Sequence, residues 1–126
     1  MLNYREFDAG PDPFGRTFHV LFKYSQNGIS IRHADTVDNK FVLQEEGGAQ
    51  GEKVIALKHP DLVRLAKESG RPIDDPWCAR LAARHLLYLI ETGEDIEKSL
   101  VTVPYADLQR YASELATSDK TEVHAR

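Results

Sequence analysis

The 126-residue chain has one cysteine, so it forms no internal disulfide. That usage fits a reducing compartment. No apolar run approaches the roughly 18–20 residues needed to cross a bilayer, so no membrane contact is expected. The N-terminal MLNYREFDAGPDP is charged and broken by Gly and Pro, unlike a signal peptide, and the expected location is the cytoplasm. Cationic surplus is also missing. Lys and Arg number 16 against 20 Asp and Glu, a net charge of −4. A phosphate backbone is held by clustered Lys and Arg that displace counterions, so bulk nucleic-acid binding is disfavoured.

Familiar chemical motifs are missing too. No G-x-S-x-G elbow is present. The glycines of EEGGAQGE (45–52) are not followed by G-K-[ST], so the loop is no phosphate cradle. Asp8 and Asp12 lack the spacing of a calcium loop. The five histidines, His19, His33, His59, His85 and His124, include no H-x-x-x-H pair, and no metal site or cofactor is expected. The reading therefore leans away from an enzyme.

What is present is the make-up of a folded domain. Apolar residues are 41% and charged residues 29% of the chain, ordinary for a globular protein. The length suits one core. Residues 1–15 read as an irregular leader, 16–117 as a single α+β domain and 118–126 as a flexible tail.

From Arg16 the hydrophobic period is two, with Phe18, Val20, Phe22 and Tyr24 on one face. Asn27-Gly28 then suits a two-residue type I′ turn. That turn predicts a second strand from Ile29 to Val37, with Phe22 opposite His33, Val20 opposite Asp35, Lys23 opposite Arg32 and His19 opposite Thr36. Asp38-Asn39 reads as another turn, followed by strands 40–44 and 53–58. The period then becomes helical. A helix starts at His59-Pro60-Asp61 and stops at Gly70. A second is capped by Asp75, with Pro76 at its first position, and runs to Thr92 before Gly93. Residues 94–103 suggest a helical turn and an extended SLVTV. A last helix opens near Pro104. The predicted architecture is a four-stranded, mostly antiparallel sheet followed by three helices packed on one face. The Phe18/Val20/Phe22/Tyr24 face is expected to lie against the helix at 75–92.

That central helix is apolar around most of its circumference, with only Arg80, Arg84 and Glu91 in a narrow polar stripe. Such a helix needs cover on several sides, which raises the expectation of a homodimer. Its Cys78 and His85 lie two turns apart, roughly 10.5 Å along the axis at 1.5 Å per residue, too far for a thiolate–imidazole pair. Cys78 reads as structural.

Three functional readings follow. The first is a non-enzymatic binding or interaction module that self-associates through the central helix. The second is a small enzyme or ligand-binding domain whose pocket lies between sheet and helices and uses His33, Asp35 or His85. In the predicted register His33 and Asp35 fall on the apolar face, where polar groups need partners. The third is an anion or nucleic-acid binder using Lys23, Arg32 and Arg16, since two facing cations repel unless an anion intervenes.

Overall fold

The computed structural model describes residues 3–28, 35–95 and 97–124. Five strands and three helices follow in the order β1 (Glu6–Ala9), β2 (Phe18–Gly28), β3 (Thr36–Glu45), β4 (Gln50–Lys58), α1 (His59–Ser69), α2 (Asp75–Thr92), β5 (Leu100–Thr102) and α3 (Tyr105–His124). The strands form one sheet in the order β1-β2-β3-β4-β5. The first four are antiparallel neighbours, and β5 runs parallel to β4. The α+β class with three helices therefore holds, with a fifth strand added. The edge strands come from segments without strong alternation: β1 from the expected leader, and β5 from the expected extended SLVTV. A parallel neighbour needs a long crossover, which α1 and α2 supply. At the other end, α3 continues as helix into the segment expected to be a tail.

The Asn-Gly hairpin is not formed. Asn27 and Gly28 are strand residues paired with Val37 and Thr36, and the ladder continues through Tyr24–Lys40 to Phe18–Glu45. Most of the strand expected at 29–37 lies outside the described residues; its last positions, Thr36 and Val37, join the one expected at 40–44 in the single strand β3, and the expected Asp38-Asn39 turn lies in the interior of β3. The reason is visible on the inner face. The expected register sets Asp35 and His33 opposite Val20 and Phe22, whereas the observed one sets Leu43 and Phe41 there. Burying apolar pairs instead of ionisable groups outweighs a local turn preference. Phe22 and Phe41 meet at 5.5 Å between ring centroids. Asn39 is fully buried yet satisfied: its amide donates to the carbonyls of Val37 and Ile55, and its Oδ1 accepts from the Ser25 hydroxyl.

A bulge between Phe22 and Tyr24 breaks the alternation of β2. Lys23 is the extra residue, and Tyr24 consequently pairs with Lys40 on the outer face, where it is exposed and Lys40 Nζ lies 5.7 Å from its ring. The expected four-residue apolar face thus stops at Phe22.

The inner face of Phe7, Val20, Phe41, Ile55, Leu57 and Val101 packs on α2, and α3 lies on α1 and α2. Asp74, not Asp75, caps α2. Its carboxylate accepts the Trp77 N–H at 2.9 Å, and Pro76 sits in the first turn. Gly70 and Gly93 end α1 and α2 in left-handed conformations. All three helices are therefore on one side of the sheet, and the other side carries exposed Leu21 and Leu100.

The edge strand β1 is held by charge as well as by its ladder. His19 of β2 lies between two β1 carboxylates, with Nδ1 2.8 Å from Asp8 and Nε2 2.9 Å from Glu6. The hydrogen bond to Asp8, then that to Glu6, raises the imidazole pKa above its ordinary 6.5. The folded chain holds this proton more tightly than the unfolded one. The resulting stabilisation is complete below pH 6.5 and is lost as pH rises through the folded value. Denaturant midpoints followed from pH 5 to 9 will therefore fall more steeply for the native chain than for His19→Gln. Equal slopes would show that the His19 bridge does not stabilise β1.

Candidate functional site

An open-mouthed cleft of about 310 Å³ marks the inner side of the sheet. It forms where one end of the sheet meets the last turn of α2 and the segment that follows it. Phe18 and Leu43 from the sheet and Leu89 and Ile90 from α2 give it an apolar floor. Charged side chains rise around that floor: Asp12, Arg16, Glu52, Lys53, Glu94, Glu97 and Lys98.

Arg16 owes its position to the loop before β2. Asp12 is buried, and its Oδ1 accepts the N–H groups of Phe14 and Arg16 at 2.9 and 2.8 Å. Its Oδ2 accepts Arg16 Nε at 2.7 Å. Burial alone pushes the Asp12 carboxyl pKa up, but the hydrogen bonds from Arg16 and Phe14 outweigh it and hold the pKa below the usual range. The guanidinium also lies over the rings of Phe14 and Phe18, at 5.3 and 5.7 Å. The loop reaches the end of α2, where Pro13 Cγ stands 2.9 Å from where a Gly93 side chain would begin. Gly93 also has φ of 76°, so both the turn and the close approach require glycine.

Lys53 is the unusual group. It alternates in phase with Ile55 and Leu57, so β4 points it inward. The residue is only 9% exposed. Its ammonium donates to the Asp95 carbonyl at 2.9 Å. Asp95 has a left-handed backbone, φ 52°, rare for a residue with a side chain. The same carbonyl accepts the Lys98 N–H at 3.0 Å, and Lys98 Nζ lies 3.2 Å from the Asp95 carboxylate. Burial lowers the Lys53 pKa from 10.5, against the opposing pull of Asp95 and Glu97. An ammonium has three donors, and among the described residues one of them is taken up, by a neutral carbonyl. A buried charge so sparsely compensated costs stability, and it stands at the wall of a cavity.

The residues singled out in the sequence do not gather here, Arg16 excepted. His33 and Arg32 lie outside the described residues. Asp35 is exposed, and its carbonyl accepts the His59 N–H. Lys23 is exposed at the bulge, away from the cleft. The β2–β3 register also removes the predicted pairing of Lys23 with Arg32 and of His19 with Thr36; His19 faces Gln44.

His85 is buried between α2 and α3. Its Nδ1 lies 2.8 Å from the Tyr111 hydroxyl, which accepts from Arg110 Nη2 at 3.2 Å. A neutral imidazole protonated on Nε2 gives each group a partner: Arg110 donates to Tyr111, and Tyr111 donates to His85. Burial lowers the His85 pKa from 6.5 and pushes that of the Tyr111 hydroxyl up to about 12. The trio ties two helices together. Cys78 is likewise buried, its thiol pushed up to about 12 by burial and then by Asp75 and Asp74, so it carries no thiolate at neutral pH. No group of three or more His, Cys, Asp or Glu side chains among the described residues is disposed to hold a metal ion.

The sequence did contain a signal for Lys53: a lysine in phase with two core residues on a four-residue apolar run. Asp12-Pro13-Phe14-Gly15 is likewise an Asp-led turn, which serves here to present an arginine.

Fold and cleft together define a small α+β domain with one ionisable, inward-facing amine at a solvent-open cavity. Comparison with known proteins finds no matching family model, no matching curated protein and no matching solved structure.

Two substitutions test this geometry. Lys53→Met keeps the length of the side chain and removes the charge, so stability at neutral pH will rise by about 1 kcal/mol in urea titrations. Because the folded pKa is depressed, native stability will climb between that value and pH 10.5, and the variant will lack this climb. A loss of stability in the variant would mean that the ammonium is well compensated. Tyr111→Phe strands the His85 nitrogen and will cost about 1–3 kcal/mol; an unchanged midpoint would deny the helix-joining role of the trio.

Proposed function

We propose that this chain is a small-molecule-binding domain, its site the cleft between the sheet and the end of α2. The observation that carries the reading is Lys53: an inward-facing amine on a cavity wall, sparsely partnered, above an apolar floor. Natural cores avoid such a group unless something gained elsewhere offsets its cost. The cavity, at about 310 Å³, falls at the small end of ligand sites, which suits a metabolite-sized compound. Binding is favoured over catalysis because, among the described residues, no histidine or cysteine lines the cleft.

We prefer this reading to the one built on self-association. That reading rested on a central helix too apolar for one chain to cover. Trp77, Leu81, Ala82, Leu86 and Leu89 of α2 are all at most 2% exposed, covered by the chain's own sheet and by α3. That cover within the chain supports placing the function in the cleft and not on α2. No described helix is long and apolar enough to cross a membrane. With one buried cysteine, a reducing cytoplasmic setting remains the reading we favour.

A small-metabolite library scanned by thermal shift against the full chain tests the proposal. Ligands of the cleft will raise the midpoint of the native chain and leave that of Lys53→Met unmoved. Hits that stabilise both proteins equally would place binding elsewhere.

A further inference from the structure

The charges around the cleft sort into pairs and remainders. Arg16 is held by Asp12. Glu52 pairs with Lys40 at 3.2 Å, and Lys98 with Asp95 at 3.2 Å. What remains is one cation on the sheet wall, Lys53, and two carboxylates on the wall after α2, Glu94 and Glu97. Glu94 accepts a hydrogen bond from the Tyr88 hydroxyl at 3.1 Å. Among the described residues neither carboxylate has a cation within ion-pair distance. The carbonyl end of α2 adds partial negative charge on that same side, since its last turn supplies Leu89 and Ile90 to the cleft.

This polarity constrains the ligand. A simple anion meets the Lys53 ammonium but is repelled by the two carboxylates. A simple cation meets the reverse. An uncharged apolar compound covers the floor and leaves the remaining Lys53 donors without acceptors. A ligand bearing both charges next to an apolar body satisfies all three surfaces.

Resting on the reading of the cleft as a small-molecule site, we infer that it takes a zwitterion with an apolar body, of the class of free apolar α-amino acids. The carboxylate is received by Lys53 and the ammonium by the Glu94/Glu97 wall. The side chain lies on Phe18, Leu43, Leu89 and Ile90. Arg16, already engaged by Asp12, lines the rim and does not supply the primary charge.

Titration of the ¹⁵N-labelled full chain with four probes tests this. L-leucine and L-phenylalanine carry both charges, N-acetyl-L-leucine lacks the cation, and L-leucinamide lacks the carboxylate. The free amino acids will shift the amide resonances of Phe18, Leu43, Lys53 and Ile90. They will bind at least about tenfold tighter than either derivative, as expected for losing a hydrogen-bonded charge. Lys53→Met will erase the preference for leucine over leucinamide. Glu94→Gln combined with Glu97→Gln will erase the preference for leucine over its N-acetyl form. Both variants are checked for native-like spectra, and the two substitutions sit on different walls, so one folded variant suffices. Equal binding of N-acetyl-leucine and leucine, or amino-acid shifts that map outside the cleft, would overturn the inference. Octanoate and octylamine separate it from the reading beneath. If either perturbs the cleft while the amino acids do not, the zwitterion is wrong and the site stands. If none of the probes perturbs it, both fall.

Discussion

A helix apolar around nearly its whole circumference must be covered on nearly every side, and α2 sets that demand for the whole molecule. Ten of its positions, from Trp77 to Ile90, are buried. The sheet covers one side through β1, β3 and β4, and α3 covers another. The cover explains several features that look separate. The five-stranded width of the sheet comes from recruiting β1 and β5 at its two edges. The crossover through α1 and α2 returns the chain parallel to β4. His85 can be buried because Tyr111 of α3 arrives with a hydrogen bond.

The cleft is where this cover ends. At Gly93 the helix stops in a left-handed turn, and the loop carrying Asp12, Pro13 and Arg16 closes against it. There the inner face of β4 still alternates, so Lys53 points toward the interior beside the last turn of α2. The strained backbone of Asp95 turns a carbonyl to it. The buried amine is therefore a consequence of strand alternation carried on to the end of the core. Groups held at the expense of stability collect at functional sites, and this one stands beside the apolar surface left open.

Legibility in the sequence followed the range of the interactions. The helices were readable because their signals are local: Pro76, Gly70 and Gly93 mark ends by what each residue does to its own backbone. Even so, the cap moved from Asp75 to Asp74, since two adjacent aspartates offer the same chemistry. The strands of β2 and β4 were readable from alternation. The register was not. Asn27-Gly28 is a strong local turn signal, but Phe22 against Phe41 and Val20 against Leu43 bury more apolar surface than the pairings that turn would allow. Of the candidate pair, Asp35 is exposed just before β3, and His33 lies outside the described residues.

By itself the sequence determined the composition of the interior and the local punctuation: one buried cysteine, a central apolar helix, strands before helices, and a net charge of −4. Those properties are set by residue chemistry and by backbone preferences over a few positions. Only the tertiary structure decided which groups meet. Arg16, Lys53 and the pair Glu94 and Glu97 come from three separate stretches and share a cleft because the loop before β2, β4 and the segment after α2 converge. No local preference encodes that convergence. It results from covering α2, a contest of long-range burial in which the pairing that leaves fewest ionisable groups on the core face prevails.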